Sequence, residues 1–199
     1  GSKISTKIGV ILNLVKKVDN IVIVGAMANN FLRNKGLNIG NSLVEKNTRE
    51  IVDKIFNALA DSKCNLILPK DFGVSRSFNG NKTQKDSSSI NSDEIILDIG
   101  PKTIDQIKET IENSMTVLWN GPAGYFENKE FATGTNEIAK KISSNTKRKS
   151  LISILGGGDT ISAIKKINEN LLFTHLSTAG GAFLDYLEGK DLPGVSVLK

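Results

Sequence analysis

Leu151-Ile152-Ser153-Ile154-Leu155-Gly156-Gly157-Gly158-Asp159-Thr160-Ile161, with Ile164 and Ile167 just beyond, is the stretch that decides the fold. A short apolar run with β-branched residues suits a strand buried on both faces. Three glycines end it. Isoleucines three apart then follow, as on one face of a helix. Strand, glycine turn and helix in succession form the repeating unit of a parallel α/β sheet.

Outward from that stretch the unit recurs. Ile21–Val24, Leu66–Leu68, Ile95–Leu97, Thr116–Trp119 and Phe173–Leu176 predict further strands. Ile4, Ile8, Ile11 and Val15 share a helix face, and so do Ile51, Ile55 and Leu59. Ile107 with Ile111, and Ile138 with Ile142, mark two more helices. Asn47-x-x-Glu50 and Thr103-x-x-Gln106 read as capping boxes. The expected architecture is α/β: a three-layer, Rossmann-like sandwich with a mostly parallel sheet of about six strands and helices on both faces, in a single domain over 1–199. Phe72–Phe78 alternates weakly, as an irregular strand or excursion, and the polar segment Gly80–Ser92 reads as a surface loop.

Five predicted strand-to-helix turns carry glycine. They are Val24-Gly25-Ala26, Asp98-Ile99-Gly100-Pro101, Asn120-Gly121-Pro122-Ala123-Gly124, Gly156-Gly157-Gly158-Asp159 and Thr178-Ala179-Gly180-Gly181. In a right-handed parallel sheet such turns share the edge outside the strands' carboxyl ends, where open α/β sheets bind ligands.

Composition narrows the ligand. Hydrophobic residues at 39% and charged residues at 24% are ordinary for a globular protein. No apolar run reaches the ~20 residues of a membrane span, and no leader precedes the first motif, so a cytoplasmic protein is expected. The lone Cys64 excludes an intrachain disulfide and reads as a buried structural thiol. The net charge of +5 favours anionic partners, but dispersed lysines, two tyrosines and one tryptophan argue against nucleic acid. A small phosphorylated ligand explains the sign equally well.

Neither the P-loop nor the dinucleotide fingerprint is present. At Gly156-Gly157-Gly158-Asp159-Thr160, Asp159 falls where an N-cap would sit, and either caps the helix or holds a phosphate-bound Mg²⁺. The Thr178-Ala179-Gly180-Gly181 turn is a second bare helix start. Lys3 and Lys7 lie on one helix side, facing either solvent or neighbouring phosphates. His175 reads as a hydrogen-bonded core histidine, and no Ser/His/Asp or Cys/His set supports hydrolytic nucleophilic catalysis.

Together the motifs resemble phosphoglycerate kinase. The blocks, in order, are Gly1-Ser2-Lys3-Ile4-Ser5-Thr6-Lys7, Gly25-Ala26-Met27-Ala28, Leu97-Asp98-Ile99-Gly100-Pro101-Lys102-Thr103 and Trp119-Asn120-Gly121-Pro122-Ala123-Gly124-Tyr125-Phe126-Glu127. They continue with Gly156-Gly157-Gly158-Asp159-Thr160, His175-Leu176-Ser177-Thr178-Ala179-Gly180-Gly181 and Leu187-Glu188-Gly189-Lys190-Asp191-Leu192-Pro193-Gly194-Val195. The resemblance implies phosphoryl transfer between 1,3-bisphosphoglycerate and ADP in glycolysis, giving 3-phosphoglycerate and ATP. It implies that Lys7 contacts the nucleotide phosphates, while Lys3 and the Gly180-Gly181 helix start face the transferring group. Gly25, Ala26 and Gly100 shape an adenine slot, with Leu43 an apolar wall. Glu127 accepts from the ribose hydroxyls, and Asn120 supports the phosphate end. Asp159 takes the Mg²⁺, and Gly157, Gly158 and Thr160 line the phosphates.

Such chemistry runs on positioning and charge neutralisation, consistent with the lack of a nucleophile. Val24, Ala26 and Ala179 stand where the family usually has glycine, narrowing the slot or the phosphoryl seat. The resemblance covers only the nucleotide-binding half. The phosphoglycerate-binding half, with its basic patch, is expected as a missing partner, and none of Arg33, Arg49, Arg76 and Arg148 falls in a matching motif. The complete enzyme is expected to be monomeric, and this chain to bind ADP or ATP without turnover. The family also has a strand just before the first block, without which an unpaired sheet edge is expected. A non-catalytic nucleotide-sensing module on the same fold is the alternative, and a purely structural α/β domain is a third.

Overall fold

The computed structural model describes residues 3–167 and 169–198; Gly1 and Ser2 of the first motif lie outside the described residues. Helix α1 (Ile8–Val15) leads to β1 (Asn20–Val22), α2 (Ala26–Asn34), α3 (Arg49–Ala60) and β2 (Asn65–Ile67). Strands β3 (Asp71–Ser75), β4 (Thr83–Asp86) and β5 (Ile95–Ile99) follow. Then come α4 (Pro101–Glu112), β6 (Thr116–Asn120), a 3-10 turn (Lys129–Phe131), α5 (Thr133–Lys147) and β7 (Ile152–Gly156). The chain continues through α6 (Gly158–Lys165), β8 (His175–Leu176), α7 (Gly181–Glu188) and α8 (Pro193–Ser196).

The α/β class holds, with parallel strands and helices on both sides. The parallel strands form two sets, β1–β2 and β6–β7–β8. Ile21 lies opposite Leu66 in the first, and Trp119 opposite Leu155 in the second. Among the described residues no ladder joins the sets, so β1 and β6 each keep an unpaired edge. The six-strand sheet is therefore an approximation.

Two apolar cores flank these strands. One packs α1, α2 and α3 over β1 and β2, with Ile4, Phe31, Val52 and Ile55 fully buried. The other joins α4 and α5 to β6 and β7 through Ile107, Trp119, Ile142 and Leu155. Val22 and Val24 pack against this second core and so connect the two. Each such buried side chain contributes about 1.5–3 kcal/mol.

Several local expectations are corrected. Strand β5 does not join the parallel strands; it pairs antiparallel with β3, which pairs antiparallel with β4. The segment read as a surface loop thus contains β4, an edge strand whose exposure explains its polar composition. Neither capping box forms. Asn47 has φ +57° and precedes the helix, which starts after Thr48. Thr103 lies inside α4, where the Lys102 and Thr103 amides donate to the Asp71 carboxylate at 2.9 and 2.8 Å. The cap therefore arrives from β3. His175 is exposed on the two-residue edge strand β8, not buried in the core.

Candidate functional site

A cavity of about 340 Å³ opens where α2, β5 and the 122–127 loop converge. Gly25 and Ala26, at the start of α2, line it together with Leu97 and Ile99 of β5, and so does Leu43, which is largely exposed. Glu127 and Asp159 contribute carboxylates to the lining. An apolar slot with polar groups placed at a few points suits a flat heterocycle bearing a polar tail. Val24 turns into the second core and leaves the lining, whereas Ala26 presents its methyl to the cavity.

The floor is built around Asp98. Its carboxylate is fully buried and accepts from Lys82 Nζ at 2.7 Å, from the Gly134 amide at 3.1 Å and from the Ile99 amide at 2.9 Å. Burial pushes its pKa up, and the Lys82 ammonium pulls against that rise. Phe78 also lines the cavity and meets Tyr125 edge to face, with ring centres 5.2 Å apart. Sequence reasoning missed Phe78 as a lining residue, because the weak alternation of 72–78 does not say which site the excursion reaches. Gly100 follows Ile99 outside the lining. Its amide donates to Asp71 O at 2.7 Å, and a β-carbon there would strike Asp71.

Beside the cavity runs a polar edge. The N-cap glycines of α2, α6 and α7, namely Gly25, Gly157 and Gly180, have φ of +69°, +93° and +55°. That backbone strains other residues. Added β-carbons at Gly158, Gly180 and Gly181 would meet nothing within 4 Å, so the first turns of α6 and α7 are open to a ligand. Asp159 sits in the first turn of α6, with Gly157 as N-cap, which corrects the expected capping position. Buried Thr160 accepts from the Gly121 amide at 2.7 Å, tying α6 to the loop after β6. Asn120 Nδ2 is buried with no partner among the described residues, and a β-carbon on Gly157 would lie 3.0 Å from it. An orphaned donor beside a bare helix start points to an anion.

Gly25, Ala26, Leu43, Glu127 and Asp159 thus share one cavity. Gly157, Gly158 and Thr160 form the turn that carries Asp159, and Asn120, at the end of β6, lies beside it. Lys3, Lys7, Gly180 and Gly181 lie outside the lining. Lys3 is exposed and Lys7 half-buried, and among the described residues neither ammonium is in an ion pair. Helix α1 packs on α7, where Asn13 Nδ2 donates to Leu187 O at 2.7 Å. A second hollow of about 430 Å³ lies at the opposite ends of the strands. It mixes three lysines with Asp19 and Asp61 beside buried Cys64, whose thiol pKa burial raises. It touches none of the glycine turns.

A family model described as phosphoglycerate kinase matches residues 1–190. The chain belongs to the phosphoglycerate kinase family. It is 45% identical to the phosphoglycerate kinase of Chelativorans sp. over the whole of this chain and 50% of that protein. It is 44% identical to that of Agrobacterium fabrum, with the same coverage. The solved phosphoglycerate kinase of Coxiella burnetii superposes with a TM-score of 0.94 at 38% identity, covering all of this chain and 51% of that one. The Pyrococcus horikoshii enzyme does so with a TM-score of 0.77 at 30% identity, over all of this chain and 50% of that one. The chain therefore spans about half the length of the phosphoglycerate kinases it matches. Among the described residues no helix is long and apolar enough to cross a membrane.

Proposed function

We propose that this chain binds Mg-ADP and Mg-ATP as the nucleotide half of a phosphoglycerate kinase. The supporting observation is the apolar slot that continues, at Asp159, into the bare start of α6 beside the orphaned Asn120 Nδ2. Adenine lies in the slot between Ala26 and the β5 residues, under Leu43. Glu127 accepts from the ribose hydroxyls. The Gly157–Thr160 turn and Asn120 donate to phosphate oxygens, and Lys7 adds charge. Lys3 and the α7 start at Gly180-Gly181 face the phosphoryl group. Gly100 fixes the turn under the slot.

The residues present fit Mg²⁺. This hard cation is held in such sites by one or two carboxylates together with substrate phosphates. Asp159 is exposed and makes no hydrogen bond or ion pair among the described residues, so its oxygens are free to bind. The ion neutralises phosphate charge; the chain's own groups orient and hold the nucleotide. In the complete reaction the P–O bond to the substrate's carboxyl oxygen breaks as a P–O bond to the ADP β-phosphate forms. The acid substrate belongs to the other half of a family member, in the cytoplasm, so the chain alone binds without turnover.

Calorimetric titration with Mg-ADP tests this reading. Binding is expected, with Asp159→Ala weakening Mg-ADP roughly ten-fold or more, equivalent to ~1.4 kcal/mol. Adenosine affinity should stay unchanged. No heat and no thermal shift at high nucleotide would sink the proposal, and turnover by the chain alone would sink its half-enzyme part.

A further inference from the structure

The turn carrying the two lysines is fastened to the loop that lends Leu43 to the base slot. Residues 3–7 form a turn ahead of α1, closed internally by Thr6 Oγ1 to Lys3 O at 3.1 Å and by the Lys7 amide to Ile4 O at 3.0 Å. Apart from α1, into which it runs, its one polar tie to another part of the chain, among the described residues, is Glu45. The Ser5 amide donates to Glu45 Oε2 at 3.1 Å, and the Ser5 hydroxyl donates to Oε1. Ser5 lies midway between Lys3 and Lys7.

Glu45 is itself held in place. Its amide donates to Asn30 Oδ1 at 3.1 Å, an oxygen that also accepts from Thr48 Oγ1 at 3.0 Å. The neighbouring Asn29 donates through Nδ2 to Leu43 O at 2.9 Å. Asn29 and Asn30 are buried on α2, the helix whose start forms one side of the slot. Two adjacent asparagines thus clamp the 43–48 loop, which offers Leu43 to the slot and Glu45 to the lysine turn.

Placing a carboxylate there runs against simple electrostatics. A negative charge near Lys3 opposes phosphate binding, so its presence calls for a compensating role. The two Ser5 hydrogen bonds, the largest causes, hold the Glu45 pKa below the usual carboxylate range, with a small contribution from Lys3. The anion is therefore the working form at neutral pH.

We infer that Glu45 is a positioning residue: through Ser5 it sets the Lys3–Lys7 turn relative to the Leu43 wall, coupling phosphate recognition to base recognition. This rests on the nucleotide reading above. Three roles give three signs. Positioning predicts that Glu45→Ala weakens Mg-ADP and leaves adenosine unchanged, because the asparagine clamp still holds Leu43. Pure electrostatics predicts tighter Mg-ADP. A merely structural role predicts equal loss for both ligands.

The test is calorimetric titration of the wild-type chain, Glu45→Ala, Ser5→Ala and the double variant with Mg-ADP and with adenosine. The expected result is a loss of about five-fold or more in Mg-ADP affinity for either single variant, the lower end of coupling between sites. The double variant should be no worse than Glu45→Ala, since both remove one linkage. Glu45→Gln, which keeps one acceptor oxygen, should fall between. Ser5 is exposed, so its variant keeps the test open if Glu45→Ala is unstable. Unchanged or tighter Mg-ADP binding, parallel loss of adenosine, or additive effects would each overturn the inference while leaving the nucleotide reading standing. A wild-type chain that binds no Mg-ADP would overturn both.

Discussion

Residues 71–99 and residues 116–156 are both built from short strands, yet they differ in how those strands are paired and tied. In the second region, β6 and β7 pair in parallel and bury Trp119 and Leu155 against Ile142 and Ile107. In the first, the strands pair antiparallel, and buried polar links join them to their surroundings. Lys82 reaches Asp98, Asp71 caps α4, and the Ser42 hydroxyl accepts from the Ile96 amide at 2.8 Å. An apolar core tolerates exchange among residues of similar volume. A buried polar link does not, since losing one partner strands the other.

The largest effect should therefore come from Lys82→Met. It leaves the Asp98 carboxylate buried without its counter-charge, at a cost of roughly 3–5 kcal/mol. The loss should depend on pH. A carboxyl whose folded pKa is raised contributes stability that is complete below its unfolded value of about 3.9 and is lost as pH rises through the folded pKa. Lys82 pulls that folded pKa down. Removing it raises the pKa further, so the variant should be closest to wild type in mild acid and fall behind as pH rises toward neutrality. Urea unfolding across that range reads it, and a loss independent of pH would show that Asp98 is not the group responsible.

The same contrast explains what was legible in the sequence. The parallel strands, α1, α3 and the glycine turns announce themselves locally, through apolar runs, helical spacing and residues fit for positive φ. Gly25, Ala26, Glu127 and Asp159 gather at one cavity because the motifs that carry them sit at strand-to-helix turns, and Leu43 joins them from the loop between α2 and α3. In the 71–99 region only β5 left such a trace, in the apolar run Ile95–Leu97. Strand β4 is a polar edge strand with no alternation, and Lys82 looks like any surface lysine until Gly73 lets its stem cross the sheet; a β-carbon on Gly73 would come 2.3 Å from Lys82 Cε. Asp71 replaces a local cap from far along the chain, which is why Thr103-x-x-Gln106 suggested a capping box that does not form.

A smaller effect should follow from Gly157→Ala, which probes the polar edge adjoining the second region. The substitution forces a side chain into φ +93° and brings its β-carbon 3.0 Å from Asn120 Nδ2. Strained backbone of this kind costs about 1–3 kcal/mol. Thermal unfolding should register a moderate loss, because the apolar core behind the turn is intact. Mg-ADP affinity should fall more than stability suggests, since in the proposed reading the turn aims its amides at phosphate. A stable variant with wild-type affinity would mean that this glycine serves neither purpose.

The smallest effect should come from Glu112→Gln, a surface polar link from α4 to the region held by apolar packing. On the surface between α4 and α5, Glu112 pairs with Lys141 and with Arg148 at 3.0 Å. Hydrogen bonding to Lys141 first, then Asn145 and Arg148, lowers its pKa to about 2. A depressed carboxyl contributes stability above its unfolded value of about 4.3 and loses it as pH falls toward the folded value. The variant should therefore differ from wild type only above that window, slightly and less so in high salt, because exposed pairs are screened. Melting curves at neutral and at strongly acid pH, each at low and high salt, check it. A loss comparable with that of Lys82→Met would break the contrast, since it would show that the β6–β7 region also depends on a polar link and not on its apolar core.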